Sequence, residues 1–368
     1  MSPQVKPDVE TYARVKVVGV GGSGSNAVDH MIRSKVKGVD FIGLNTDAQD
    51  LHHSLMPKKL HIGRNVTRGL GTGMDPELGR LAAEENRAEI QELLKGSDMV
   101  FITCGFGGGT GSGAGPVVAS AAKEAGILTI AVVTKPFSFE GSKRAQIAEE
   151  WLARLRENVD AMIVIPNDRL LAVVDKNTPF LSAFAMCDEV LRHAVQGISD
   201  IITTPGIVNV DFSDVRAIMA NSGSALMGIG KSSGEKRAEE AAREAINSPL
   251  LEMSIDGARG VLFSVFGGED MTMWEINEAA KIITAAADKD AKVIFGAFHD
   301  DRLKKGELKI TVIASGFPSE GRIQKLFQNE RAEKNGAKPL PGEAVKTAAA
   351  AEDDWEAVPA FLRRNKKP

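Results

Sequence analysis

Short apolar runs rich in Val and Ile recur along the first half of the chain, at residues 14–20 (RVKVVGV), 39–44 (VDFIGL), 98–103 (DMVFIT), 127–133 (ILTIAVV) and 160–165 (DAMIVI). Each predicts a strand covered on both faces, since a strand with one wet face would alternate apolar and polar residues. Segments of helical period lie between them, notably 75–94 and 141–157. Strands alternating with helices predict a parallel, doubly wound, Rossmann-like α/β sheet. Thr178 and Pro179 read as a helix cap and first helical position. Phe180, Leu181, Phe184, Leu191, Ala194, Val195, Ile198 and Ile202 then recur at helical spacing, so one long helix runs to about Thr203, where Pro205 and Gly206 stop it.

The pattern then changes to helix 213–220, strand 225–229, helix 235–246, strand 261–266, helix 273–288 and strands 292–298 and 308–314, a smaller second α/β domain. From Pro318 the apolar period disappears among prolines, charges and the alanine run 348–351, which reads as a linker. The end is different again: WEAVPAFL at 355–362 places aromatic and aliphatic residues at an otherwise polar terminus, followed by Arg363, Arg364, Lys366 and Lys367.

Composition narrows the function. The 368 residues carry 45 Lys and Arg against 49 Asp and Glu, a formal net charge of −4, which argues against nucleic acid held by bulk basic charge. The two cysteines, Cys104 and Cys187, lie in apolar segments and offer neither a disulfide framework nor a Cys-based zinc site. Residues 1–10 are polar, and no run approaches the roughly 18 unbroken apolar residues of a membrane span, so the expectation is a cytoplasmic protein without direct membrane insertion.

The candidate chemistry is in the glycines. Gly19, Gly21 and Gly24 match G-x-G-x-x-G between a strand and the helix-like 26–32, where backbone N–H groups and a helix N-terminus receive phosphate. A plain tight turn fits as well, and so does a dinucleotide fold with Asp47 on a ribose, the basis of an alternative nicotinamide oxidoreductase reading. A second cluster, Gly105, Gly107, Gly108, Gly109, Gly111, Gly113 and Gly115, again lies between strand and helix, with Thr110 and Ser112 as further donors. A single dinucleotide does not need two such loops. A triphosphate does, and Gly69, Gly71 and Gly73 form a third cluster able to close over its end. ALMGIGKS at 225–232 imitates a P-loop, but it is apolar enough to be a strand and begins with Ala225 where the motif has Gly.

GGGTGSGA at 107–114 resembles the signature loop of the tubulin/FtsZ superfamily. GGSGSNA (21–27), NTDAQDL (45–51), TKPFSFEGSKR (134–144) and NVDFSD (209–214) are similar to further FtsZ elements in the right order, and VPAFLRR (358–364) resembles the partner-binding peptide of the bacterial FtsZ branch. The resemblance covers about residues 14–317. Ser112 departs from the usual Thr, Asp188 from the more frequent Asn, and the linker is short.

The resemblance implies a disordered N-terminus (1–12), a GTP-binding domain (13–177), a central helix (178–205), a C-terminal domain with a catalytic loop (206–317), a flexible linker (318–354) and a partner-binding peptide (355–368). It implies GTP or GDP bound by Gly21, Gly22, Ser23, Asn26, Asn45, Asp47, Gly71, Thr72, Gly73, Gly105, Gly107, Gly108, Gly109, Thr110, Gly111, Glu140, Arg144, Asn167, Phe184 and Asp188. Glu140 and Arg144, four apart, suit ribose and phosphate, although a solvated helical ion pair has the same spacing. Phe184 and Asp188 share one helix face, where a ring can stack on a purine and a carboxylate can accept from guanine N1 and its exocyclic amine. Asn209, Asp211 and Asp214 would be catalytic in the next subunit of a head-to-tail polymer, Asp211 also suiting a helix cap. Mg²⁺ would accompany the nucleotide, with no protein ligand assigned to it. Val358, Pro359, Phe361, Leu362 and Arg363 would bind membrane-tethering and regulatory division proteins, which makes the expected role a self-assembling GTPase of the bacterial division ring. A non-hydrolysing scaffold is the third reading, and retention of both Asp211 and Asp214 speaks against it.

Overall fold

The first strand, β1 (Val15–Val20), is buried along its whole length and lies between two parallel neighbours, β2 (Val39–Asn45) and β4 (Met99–Gly105). It leads directly into α1 (Gly21–Arg33). After β2 the chain makes α2 (Ala48–His53), the edge strand β3 (Lys58–His61), and α3 (Arg64–Thr67), α4 (Pro76–Glu85) and α5 (Arg87–Leu94) before β4. Then come α6 (Thr110–Glu124), β5 (Leu128–Lys135), a 3-10 turn at Ser138–Glu140, α7 (Ser142–Glu157), β6 (Ala161–Pro166), α8 (Asn167–Leu171) and the long α9 (Phe180–Thr203). The second half runs α10 (Phe212–Met219), β7 (Gly223–Ser233), α11 (Arg237–Ile246), β8 (Gly260–Gly267), α12 (Met273–Ala286), β9 (Lys292–His299) and β10 (Glu307–Ser315).

This computed structural model describes residues 13–171, 179–204, 206–248, 254–300 and 303–317. The expected N-terminal segment 1–12, the Thr178 cap, the Pro205 stop, the linker and the terminal peptide, with Val358, Pro359, Phe361, Leu362 and Arg363, lie outside the described residues.

Among the described residues one sheet has the strand order β3-β2-β1-β4-β5-β6-β7-β10-β8-β9. It is parallel from β3 to β7, joined across the two halves by the short register Ala161↔Gly223 to Ile163↔Ala225. It turns antiparallel where β10 enters between β7 and β8, and β8–β9 are again parallel. Alternate residues of β1 feed different cores. Val15 and Val17 pack with α1, α9 and α10 on one face, while Val18 and Val20 pack with α4 to α7 on the other. The third core joins α11 and α12 to β8 and β10. Helix α9 lies on the first face, and Cys187, Leu191, Val195 and Ile198 form its buried stripe.

Several boundaries differ from the sequence expectation. The single helix 75–94 is two, because Asn86 accepts from the Gly63 N–H (2.9 Å) and donates to Glu89 (2.8 Å), diverting the chain between α4 and α5. Helix α1 begins at Gly21 rather than near Asn26, so the first glycine motif is itself a first helical turn. Pro179 is the extended residue before α9, not its first helical position. Residues 225–232 are strand, as expected. Gly228 and Gly230 let α11 press onto β7, since a Cβ there would meet Ala245 O at 1.8 Å and Ala241 O at 2.0 Å, and Lys231 pairs with Glu307 at 3.0 Å.

Candidate functional site

A cleft of about 460 Å³ opens at the carboxyl ends of β1, β4, β5 and β6. In an open parallel sheet this is where helix N-termini and loops converge on a ligand. Behind β1 the lining is Gly21, Gly22, Ser23 and Asn26; behind β4 it is Gly105, Phe106, Gly108, Gly109, Thr110 and Gly111. Thr134 ends the buried run of β5, Pro136, Glu140 and Arg144 follow that strand, Asn167 follows β6, Thr72 enters from the α3–α4 loop, and α9 supplies Phe184, Cys187, Asp188 and Leu191.

One end of the cleft is built for anions. Both α1 and α6 start at it, and neither N-cap, Val20 nor Gly109, provides a side-chain acceptor for the first-turn N–H groups. Two uncapped helix N-termini therefore face one space, each with unsatisfied N–H groups and the positive end of its dipole. The two starts are in close contact: a Cβ on Gly21 would stand 3.0 Å from the Gly111 nitrogen. At Gly108 a Cβ would meet nothing within 4 Å, so the loop is open toward the cleft there.

The later glycines of this cluster have another use. Gly113 sits against α4, where a Cβ would come within 1.9 Å of Pro76 O. Ser112 is fully buried and accepts from the Gly107 N–H at 3.0 Å, so its expected role as a donor to the ligand is replaced by holding the loop shape.

The other end suits a sugar and a base. Arg144 donates to Glu140 at 2.8 Å, so the ion pair forms, and both residues also line the cleft. Glu140 additionally accepts from the Phe137 N–H at 2.9 Å, which fixes its position. Asn167 is buried, and its Oδ1 has no hydrogen-bond partner, an acceptor left for something not in the chain. Phe184 is 36% exposed and meets Phe137 edge-on with centroids 5.3 Å apart. Burial pushes the Asp188 carboxyl up to about 6, against the pull of His30 and Arg33. A carboxylate desolvated in this way gains from any ligand that donates to it.

The remaining expected residues lie outside the lining. Asn45 donates to Asp50 (2.6 Å) and accepts from the Asp47 N–H (3.2 Å), and Asp47 caps α2 by accepting from Gln49 and Asp50. Asp47 thus serves as a cap and lies outside the cleft lining, which leaves the nicotinamide reading without its ribose contact. Gly71 donates to Thr46 O, and Gly107 to Ser112; Gly73 follows Thr72 in the same loop. Asn209, Asp211 and Asp214 are exposed at the far end of α9. Asp188 and Thr203 are 15 residues apart on that helix, about 22 Å at 1.5 Å per residue, so the three do not reach the cleft of their own chain. Cys187, Leu191, Thr134, Pro136 and Phe106 line the cleft without having been anticipated. Among these, helical spacing from Phe184 and Asp188 was signal enough for Cys187 and Leu191.

Two family models match the chain: Tubulin/FtsZ family, GTPase domain, over residues 14–175, and FtsZ family, C-terminal domain, over residues 223–318. Among solved structures the chain is similar to an empty FtsZ dimer from M. jannaschii at 45% identity, covering 83% of this chain and 89% of that chain with a TM-score of 0.79. It is similar to a mutant FtsZ of the same organism at 45% identity, with 84% and 92% coverage and a TM-score of 0.80. A GTPγS-bound protofilament of CetZ2 from Haloferax volcanii shares the fold at 21% identity, with 88% and 98% coverage and a TM-score of 0.71.

Proposed function

The chain belongs to the FtsZ branch of the tubulin/FtsZ family of GTPases, and from that premise we propose that it binds GTP in the cleft and hydrolyses it when a second copy adds the acids of residues 209–214. Phosphates would lie on the N-termini of α1 and α6 with Thr72 and Thr110, Arg144 would supply a positive charge, and guanine would stack on Phe184 and donate to Asp188. Among the described residues no three His, Cys, Asp or Glu side chains cluster for a metal. A magnesium ion accompanying GTP would thus be held chiefly by phosphate oxygens and water, where it offsets phosphate charge.

The observation that carries this reading is the separation of cleft and carboxylates along α9. Hydrolysis needs a water placed in line with the terminal phosphate, and Asp211 or Asp214 could orient it or accept its proton. A carboxylate fixed beside the triphosphate in the same chain would weaken GTP binding, whereas one delivered by assembly does not act until a neighbour docks. The surroundings favour docking. Ile207 (69% exposed), which bonds through its N–H to Ala297 of β9, is a large exposed apolar side chain in the same loop as the acids, and Met273 and Trp274 (76% and 66%) at the start of α12 are two more in the same half of the chain.

The proposed product is a head-to-tail filament that scaffolds a division ring in the cytoplasm, with residues 355–368 contacting membrane-tethering and regulatory partners. No described helix is long and apolar enough to cross a membrane. The test mixes two inactive variants. Gly108→Glu puts a carboxylate in the phosphate end of the cleft and Asp214→Ala removes an acid; together they should regain phosphate release, because one brings the acids and the other the bound GTP. Full activity from dilute monomers, or no rescue despite co-assembly, refutes a shared site.

A further inference from the structure

Three threonines, two from loops and one from a helix start, meet behind the phosphate end of the cleft. Thr46, between β2 and α2, has its hydroxyl 2.6 Å from that of Thr110, the first residue of α6. The hydroxyl of Thr72 is 3.3 Å from the same Thr110 oxygen. Thr110 and Thr72 line the cleft; Thr46 does not, and it is wholly buried. Among the described residues Thr110 is the only hydrogen-bond partner of the Thr46 hydroxyl. The backbone carbonyl of Thr46 meanwhile accepts from the Thr67 hydroxyl (3.3 Å) and the Gly71 N–H (3.4 Å), which ties it to the loop that carries Thr72. Thr72 in turn is seated against Gly109, where a Cβ would fall 2.1 Å from its hydroxyl oxygen.

The proton count of this triad is restrictive. Each hydroxyl has one proton to donate and two lone pairs to accept with. An ionised phosphoryl oxygen only accepts. Once Thr110 donates to such an oxygen, its bonds to Thr46 and Thr72 can persist only if those two donate to it. With no phosphate present, either direction is allowed. We propose that Thr46 is a positioning residue of the nucleotide site: its hydroxyl donates to Thr110, directs the Thr110 proton into the cleft, and so links phosphate binding to the loop of Thr72. The proposal rests on the GTP-binding reading and names a residue that touches no nucleotide itself. A chain in which each donor is also an acceptor polarises its members, so the bond from Thr46 strengthens the one Thr110 makes to the phosphate.

The test uses the full chain, nucleotide-free and GDP-loaded. Thr46→Val keeps the shape and removes the hydroxyl; Thr46→Ser keeps the hydroxyl; Thr46→Ala paired with Thr46→Ser isolates the hydroxyl a second time. Losing one net hydrogen bond of ordinary strength corresponds to about a fivefold to tenfold loss of GDP affinity. That loss is expected for the Val and Ala variants, while the Ser variant stays within about twofold of wild type. The nucleotide-free melting temperature of the Val variant should fall only by what one lost hydrogen bond accounts for, and the fall should be larger in the GDP-loaded protein, a difference that a merely structural role would not give. Combining Thr46→Val with Thr110→Val should weaken GDP no further than Thr110→Val alone. Wild-type affinity in the Val variant, additive losses in the double variant, or failure of both hydroxyl-free variants to fold would each overturn the proposal. If the wild-type chain itself does not bind GDP, the GTPase site is refuted and this proposal with it.

Discussion

Asp211 accepts a hydrogen bond from the backbone N–H of Asp214 at 2.9 Å, the N-cap contact of α10. The two acids of this loop are therefore unequal: one holds the helix start, and the carboxylate of the other is exposed in the first turn. Their substitutions should separate accordingly. Asp211→Ala should cost about 1 kcal/mol of stability through the lost cap as well as slowing hydrolysis. Asp214→Ala should leave the melting temperature within about a degree or two, since its exposed carboxylate makes no cap, yet lower phosphate release by roughly 10²–10⁴. Calorimetry and phosphate release on both variants check this; equal melting losses for the two would contradict the division of roles.

The glycine cluster at 105–115 makes a second separation measurable. Gly113→Ala drives a methyl into the backbone of α4 at Pro76, and neither side of the contact is a flexible side chain. Overpacking of this kind costs about 1–3 kcal/mol or more, so the variant should melt early with or without nucleotide. Gly108→Ala adds its methyl to open space and should change stability by no more than about 0.5 kcal/mol. Its effect should instead be a weaker GDP affinity, because the methyl stands on the cleft wall. Unfolding titrations and GDP binding distinguish the pair, and loss of fold at Gly108 with none at Gly113 would reverse the assignment.

The same cluster explains what could be read from the sequence and what could not. Strands buried on both faces are nearly continuous apolar runs, and β1, β2, β4, β5 and β6 stand where those runs are, within a residue or two. The short pieces α2, β3 and α3 escaped, because 46–71 has no period and its order comes from distant groups such as Asn86 on Gly63 and Thr46 on Gly71; α8, at five residues, is too short to show one. Glycines announce a turn or a close approach without saying which. Gly108 faces the cleft and Gly113 faces α4, a difference that depends on how two helices pack and not on local spacing. Phe184 and Asp188 were legible because a helix places residues four apart on one face. Thr46 was not, since a buried hydroxyl that acts through a second residue leaves no pattern along the chain.

Asp188 gives the last prediction, in which two effects of pH have opposite signs. Burial holds its carboxyl at about 6 against an unfolded value of 3.8. In the nucleotide-free protein the ionised form is therefore the disfavoured one. That penalty is complete above about pH 6 and disappears as the pH falls toward 3.8. Nucleotide-free Asp188→Asn should accordingly be more stable than wild type at pH 7, and the gap should close between pH 6 and pH 4. Binding runs the other way. Guanine N1–H and its amine donate, so they select the ionised carboxylate, and affinity for GDP should fall as the pH drops below about 6, approaching tenfold per pH unit. Asp188→Asn, with no proton to gain, should show a flat profile for this component. Asp188→Ala should lose GTP more than ATP, because a site built to accept from a base loses its discrimination with the acceptor. Isothermal titration of GDP between pH 5 and 8, of GTP and ATP at pH 7, and nucleotide-free unfolding between pH 4 and 7, on wild type and both variants, read these three effects. A wild-type profile as flat as that of Asp188→Asn, or equal losses of GTP and ATP in Asp188→Ala, would remove Asp188 from the base site.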